Sequence, residues 1–424
     1  MQVMKWSVIA LAVAAGSTQM AVASSQSESK GFLEDSTFNI FNRALYHNRD
    51  YRNGASNTTG TGKKTGYFEE FGLGIRLLAE SGFTQGTVGV GVDAHSLSSI
   101  KLDTGRGRTR GADQFSLDSD GRAEDTQTEV GGAIKFRISD TVLKYGNQMV
   151  GSPVFSTDDS RILPEVATGT LLTSNEIEGL ELTAGRFTAL SGQFETGRDN
   201  AYGEAVDSIN IVGASYSFND NFSGAIHASD VEDYFKKTYV NLNYNLPLAD
   251  DQALNFDFNG YRTRGDGQEL WGEVDNNIWS LAAAYSMGAH KLTLAHQRSS
   301  GDAGYAYGID GNGTIWLSNS VQYSDFNSKD ETSWQARYDL DMATYGVPGL
   351  SFMTRYITGD NIDVGAGSDA KEHELDMEAK YVIQEGAAKD LSFRVRNAIY
   401  RTNSSNGRDA NDFRLIVEYP LSVL

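Results

Sequence analysis

A chain of 424 residues with no cysteine can hold neither a disulfide nor a thiolate-bound metal. Its formal charge of -20 argues against a general nucleic-acid binder, because phosphate recognition needs Lys and Arg clustered on an accessible face. With 45 glycines against 5 prolines, and no run of amphipathic helices or shift in composition, one large antiparallel β-domain is favoured over several soluble domains.

At the start, Lys5 precedes the apolar run Trp6 to Ala15, and Ala21, Val22 and Ala23 supply small residues for cleavage. This predicts a signal peptide over 1–23 and a single barrel domain over 24–424. The apolar run is shorter than the ~20 residues that a spanning helix needs, which disfavours a membrane anchor.

Period-two alternation then places about eighteen strands. The first lie near 37–47, 66–80, 86–97, 127–138 and 141–147; the next near 178–188, 207–217, 222–229, 235–246, 252–262, 276–286 and 290–298. The last lie near 315–325, 332–341, 349–358, 371–384, 391–402 and 411–420. Several runs have unambiguous faces. Val130, Ile134, Phe136 and Ile138 oppose Lys135 and Arg137; Trp334, Tyr338 and Leu340 oppose Gln335, Arg337 and Asp339. Leu375, Met377 and Tyr381 oppose Glu374, Asp376, Glu378 and Lys380; Phe393 and Val395 oppose Arg394 and Arg396; Phe413, Leu415 and Val417 oppose Arg414. An oily face beside a charged face suits a water-filled transmembrane barrel, and reversing it would put Arg or Lys in hydrocarbon at roughly 2–4 kcal/mol each.

Turns such as Asn219-Asp220 and Met287-Gly288 are short, whereas the connectors 98–126, 148–177, 189–206 and 299–314 are long. Outer-membrane barrels carry short turns on the periplasmic side and long loops outside. Met149 to Pro164 holds Pro153, Val154, Phe155, Ile162 and Leu163 around Asp158, Asp159, Ser160 and Arg161. Those apolar residues predict a loop folded into the lumen as a constriction.

Enzymatic and metal motifs are weak. The six histidines lack ligand spacing, Gly60 to Thr65 lacks the earlier glycine of a phosphate loop, and Asp310 to Thr314 lacks the terminal Glu of a calcium loop. No nucleophile elbow supports a hydrolase. No cofactor is expected.

The segments Gly31 to Ser36, Gly86 to Ala94, Asp118 to Arg122 and Leu182 to Phe187 resemble the OprD family of substrate-specific outer-membrane channels. So do Ser320 to Asn327, Ser333 to Tyr338 and Phe413 to Leu421, and the likeness spans the mature chain. The resemblance implies an eighteen-stranded, all-β monomeric barrel, narrowed by inward-folded loops, in the Gram-negative outer membrane and surrounded by its lipid. It implies passive uptake of small carboxylate-bearing solutes along a basic ladder of Lys380, Arg394, Arg396 and Arg414, joined by Arg355, Arg337 and Arg137. It also implies an eyelet in which Ser320, Tyr323 and Asp325 stand on the opposite wall, with Asp158, Asp159 and Arg161 in the constriction loop. One acidic position of the family's eyelet segment falls at Gly313 or Thr314, which weakens a preference for basic amino acids. Two readings stay open: the arginines could merely pair with Asp376, Glu378 and Glu418, and the barrel could be a non-conducting receptor or adhesin.

Overall fold

A computed structural model describes residues 26–57, 65–105, 107–109, 111–199, 206–365, 369–405 and 407–424. The expected signal peptide and residues 60–64 lie outside them.

Twenty strands follow in order: β1 (Thr37–Tyr51), β2 (Tyr67–Glu80), β3 (Gly89–Asp103), β4 (Thr126–Ile138), β5 (Thr141–Gln148), β6 (Gly151–Ser152) and β7 (Phe155–Ser156). Next come β8 (Val166–Ile177), β9 (Leu180–Ser191), β10 (Ile209–Asn219), β11 (Phe222–Val231), β12 (Phe235–Ala249), β13 (Gln252–Gly265) and β14 (Asp275–Met287). Last are β15 (His290–Gly301), β16 (Thr332–Asp341), β17 (Leu350–Asp363), β18 (Asp369–Val382), β19 (Ser392–Thr402) and β20 (Ala410–Ser422). All but β6 and β7 form one eighteen-stranded antiparallel sheet, and the pairing of β1 with β20 closes it. Closure leaves no unpaired edge, the condition for a sheet to cross lipid.

The burial pattern fixes the faces. Val130 is 75% exposed and Trp334 59%, and on their strands the neighbouring Lys135, Arg137 and Gln335 are below a tenth, so the apolar set faces outward. Turns at the end that carries both chain ends are tight, as at Ser139-Asp140, Asn219 to Phe222 and Met287 to His290. Connectors at the other end include 104–125, 149–165 and 302–331.

The strand total matches expectation through two compensating errors. The run predicted at 315–325 is no strand and belongs to the connector 302–331, while β8 occupies a stretch expected to be loop. Apolar residues of the connectors 149–165 and 302–331 pack against lumenal side chains of the barrel. Val154, Phe155, Tyr305 and Ile309 join Phe187, Ile209, Phe235, Tyr239 and Tyr261 on the lumenal side of β9 to β13. Ile162 and Leu163 join Leu45, Leu97 and Ile416.

Candidate functional site

Alternation and register together assemble a basic wall. Arg337 on β16 lies opposite Arg355 on β17, Lys380 on β18 opposite Arg394 on β19, and Arg396 opposite Arg414 on β20. The wall continues through Arg43 and Arg49 on β1 and Arg76 on β2, which the sequence reading missed. Their signal was present: Arg43, Leu45, His47 and Arg49 share one parity, as do Phe68, Glu70 and Arg76. Arg137 does not belong to this wall. It sits near the tight-turn end of β4, where its Nε donates to Gln26 Oε1 at 2.8 Å and its guanidinium lies 4.2 Å from the Phe83 ring centre.

Several carboxylates are shared between these cations, and Glu418 pairs with Arg43 at 2.8 Å. Asp159 reaches both Arg43, at 2.9 Å, and Arg76, at 2.5 Å. Asp412 serves His47, Arg49 and Arg414 at 2.7, 2.8 and 2.7 Å. Glu378 lies 3.5 Å from Arg394 and 3.1 Å from Arg396. Arg355 and Arg337 have a carboxylate each, Asp376 and Asp339, both at 2.6 Å. The pairing alternative therefore describes Arg355 and Arg337, whereas Arg394 and Arg396 share one loosely placed partner. Their side chains are 28% and 21% exposed and that of Arg337 is 22%, against 9% for Arg43 and Arg355, 7% for Arg414 and 4% for Arg76, so a solute in the lumen can reach the first three.

The loop 149–165 is held on this wall. Arg43 donates to the Asp159 and Arg161 carbonyls at 2.7 and 2.6 Å, and Arg76 to the Ile162 carbonyl at 2.9 Å. Gly74 permits the approach, since a Cβ there would stand 2.1 Å from the Ile162 carbonyl oxygen. Arg161 turns toward the neighbouring connector, donating to the Ala112 carbonyl at 2.5 Å and to Ser160 Oγ at 2.8 Å. Asp158 accepts from the Ser160 amide at 3.0 Å. Glu165 ties this loop to the next: its Oε2 accepts the Asp158 and Asn312 amides at 2.8 and 3.0 Å, and its Oε1 accepts Asn312 Nδ2 at 2.6 Å. Burial, reinforced by Asp158, pushes the Glu165 carboxyl up to about 8.

The loop 302–331 crosses from the lumenal face of β12 to that of β20. Asp325 accepts Ser320 Oγ at 2.6 Å and the Tyr307 hydroxyl at 2.8 Å, and burial raises its pKa. Tyr323 is not on the opposite wall. Its ring stacks on Tyr400 at 4.5 Å beneath the Arg49 guanidinium at 4.4 Å, and its amide donates to Glu374 at 2.9 Å. Gln322 donates to Asp412 Oδ1 at 2.9 Å, while Arg414 donates to the Gln322 carbonyl at 2.9 Å. The loop tip is thus fastened to the basic wall, and Asp325 and Ser320 lie beside Tyr307.

The sequence and the barrel fold resemble those of known proteins. The family model described as outer membrane porin, OprD family, matches residues 30–423. Porin D of Pseudomonas aeruginosa is 47% identical over 456 residues, covering 100% of both chains. The crystal structure of Acinetobacter baumannii OccAB1 superposes with a TM-score of 0.88 at 35% identity, covering 95% of this chain and 100% of that one. Pseudomonas aeruginosa OpdK, solved with vanillate, gives 0.82 at 33% identity, covering 92% and 100%. A closed eighteen-stranded barrel, a lumen crossed by anchored loops and these likenesses agree: the chain belongs to the OprD family of outer membrane porins, and is a channel of the outer membrane rather than an enzyme.

Proposed function

We propose that this porin admits small carboxylate-bearing solutes by passive, substrate-selective diffusion, as a monomer and without a cofactor. Residues 1–23 act as its signal peptide and 24–424 as the barrel. The observation that carries the reading is the excess of lumenal guanidinium over carboxylate around Arg394 and Arg396, where Glu378 is shared. A carboxylate in a narrow lumen loses water, and a guanidinium replaces it with planar two-pronged hydrogen bonds. Several such groups in sequence offer weak sites, so the anion moves on without falling into one deep trap. In this reading Lys380, Arg394, Arg396 and Arg414 form the pathway, and Asp325, Ser320, Asp158 and Arg161 shape the opening beside it. Arg43, Arg76 and Asp159 hold the constriction loop. Vanillate, found with OpdK, is itself a carboxylate, which supports the solute class.

The double variant Arg394→Ala/Arg396→Ala tests it. Carboxylate uptake into liposomes should fall several-fold while the barrel still inserts and conducts potassium chloride. Unchanged uptake through an intact barrel contradicts the assignment.

A further inference from the structure

The root and tip of the loop 302–331 rest on a set of buried acids. Glu374 on β18 accepts the Tyr323 and Ser324 amides, both at 2.9 Å, and Glu372 accepts Ser324 Oγ at 2.6 Å together with the Tyr400 hydroxyl of β19. Glu331, at the entry to β16, accepts the Ser328 amide at 3.0 Å. Gly359 on β17 makes room for it, since a Cβ there would stand 2.1 Å from Glu331 Oε1. Glu331, Glu372, Glu374 and Asp376 are all buried. Among the described residues, Arg355 is the one cation paired with any of them, through Asp376 at 2.6 Å.

These carboxyls meet in pairs: Glu331 touches Glu372, and Glu374 touches Asp376. Two carboxylates in contact and out of water do not both stay ionised. Glu331 Oε1 has no N–H or O–H to accept among the described residues, and a proton carried between the two carboxyls supplies the missing bond. A bound cation would be the other way to join two acids. It needs more ligands than two, and among the described residues no group of three His, Cys, Asp or Glu side chains converges to hold one.

We propose that the proton shared by Glu331 and Glu372 latches the loop 302–331, and that the loop leaves the basic wall when that proton is lost. With the proton, the pair is bonded and its hydroxyl and amide donors stay in place; without it, two facing charges push the root of the loop from β18. The loop is strained toward release. Phe326 is buried at a φ of 50°, a left-handed conformation that a bulky residue keeps only while its surroundings hold it. No group facing the pair replaces the proton. Asp325 of the loop adds negative charge, Tyr400 of β19 is already bonded to Glu372, and on β18 and β17 Arg355 is engaged by Asp376 beside Glu374. Lys329 is paired with Asp363 at 2.9 Å, and Arg49 of β1 lies beyond the Tyr323 ring on Asp412. Burial, reinforced by Glu372, pushes the Glu331 carboxyl up to about 9, against 4.5 for a free one. The latch is therefore complete below about pH 4.5 and weakens steadily until about 9.

Single-channel recording in planar bilayers tests the proposal, in a Glu165→Gln parent that removes the titration elsewhere on this loop. Between about pH 6 and 9 the ratio of time in a high-conductance, released state to time in the latched state should rise about ten-fold per pH unit, the dependence of one proton, and level off above that range. In Glu331→Gln an amide N–H takes the place of the proton toward Glu372, so the ratio should stay nearly constant. Glu372→Gln should do the same from the other side, and decides if the first variant does not insert. A ratio that does not change with pH in the parent overturns the inference, as does a slope that persists in the variants. A chelator that produces the released state at neutral pH assigns the latch to a divalent cation and overturns it as well.

Discussion

Glu165 shows how one side chain ties two loops together. It receives three N–H groups from two loops, yet burial holds its carboxyl at about 8, so the neutral form is favoured in the folded barrel. A carboxyl raised above its unfolded value contributes stability that is complete below about pH 4.5 and is lost as pH climbs through about 8. Hydrogen exchange at the Asp158 and Asn312 amides should therefore quicken between about pH 4.5 and 8 beyond its ordinary rise with pH, and the extra rise should level off above about 8. Glu165→Gln, which cannot ionise, should remove the extra step; a step that persists in the variant excludes Glu165 as its source. At this scale the sequence disclosed parity and little else. Arg394, Arg396 and Arg414 were recognisable because clean apolar partners flank them. Their inequality was not, because it depends on where Glu378, Asp412 and the loop-borne Asp159 fall in three dimensions. Arg137 has the same parity on its own strand and a different fate, set by Gln26 from a segment far away in sequence.

Among elements, the loop 149–165 depends on a strand with little side chain. The Ile162 carbonyl approaches β2 where Gly74 offers no Cβ. Gly74→Val should push the loop from the wall and raise single-channel conductance in potassium chloride, while heat-modifiable mobility on a gel reports a folded barrel. An unchanged conductance would mean that this loop does not set the bore. The two misassigned elements have a physical explanation of the same kind. Ile315, Leu317, Val321 and Tyr323 share one parity as residues of a strand would, yet the segment's polar groups are answered by Ser280, Gln297, Asp412 and Glu374 rather than by a ladder. In β8, both Val166 and Ala167 are buried because loops cover the lumenal side, so alternation is lost where the strand is real. Period two reports a strand with one wet and one oily face, and inward-folded loops spoil that contrast.

At the scale of the whole molecule, closure and solute path are separable. The ring needs only that each strand present apolar residues outward and pair with its neighbours, a pattern legible along most of the chain. In the proposed reading the path follows the guanidinium groups over β17 to β20 and β1, with the loops 149–165 and 302–331 fastened beside them. That division could not be read from composition, because the chain is acidic overall while one lumenal wall is basic. Its central claim is that a carboxylate is preferred over a neutral solute of similar size and hydroxyl content. The direct measurement is uptake of gluconate and of sorbitol into liposomes carrying the wild-type barrel, with a potassium ionophore to balance charge. The account predicts that gluconate enters several times faster, and equal rates, or faster sorbitol, would contradict it.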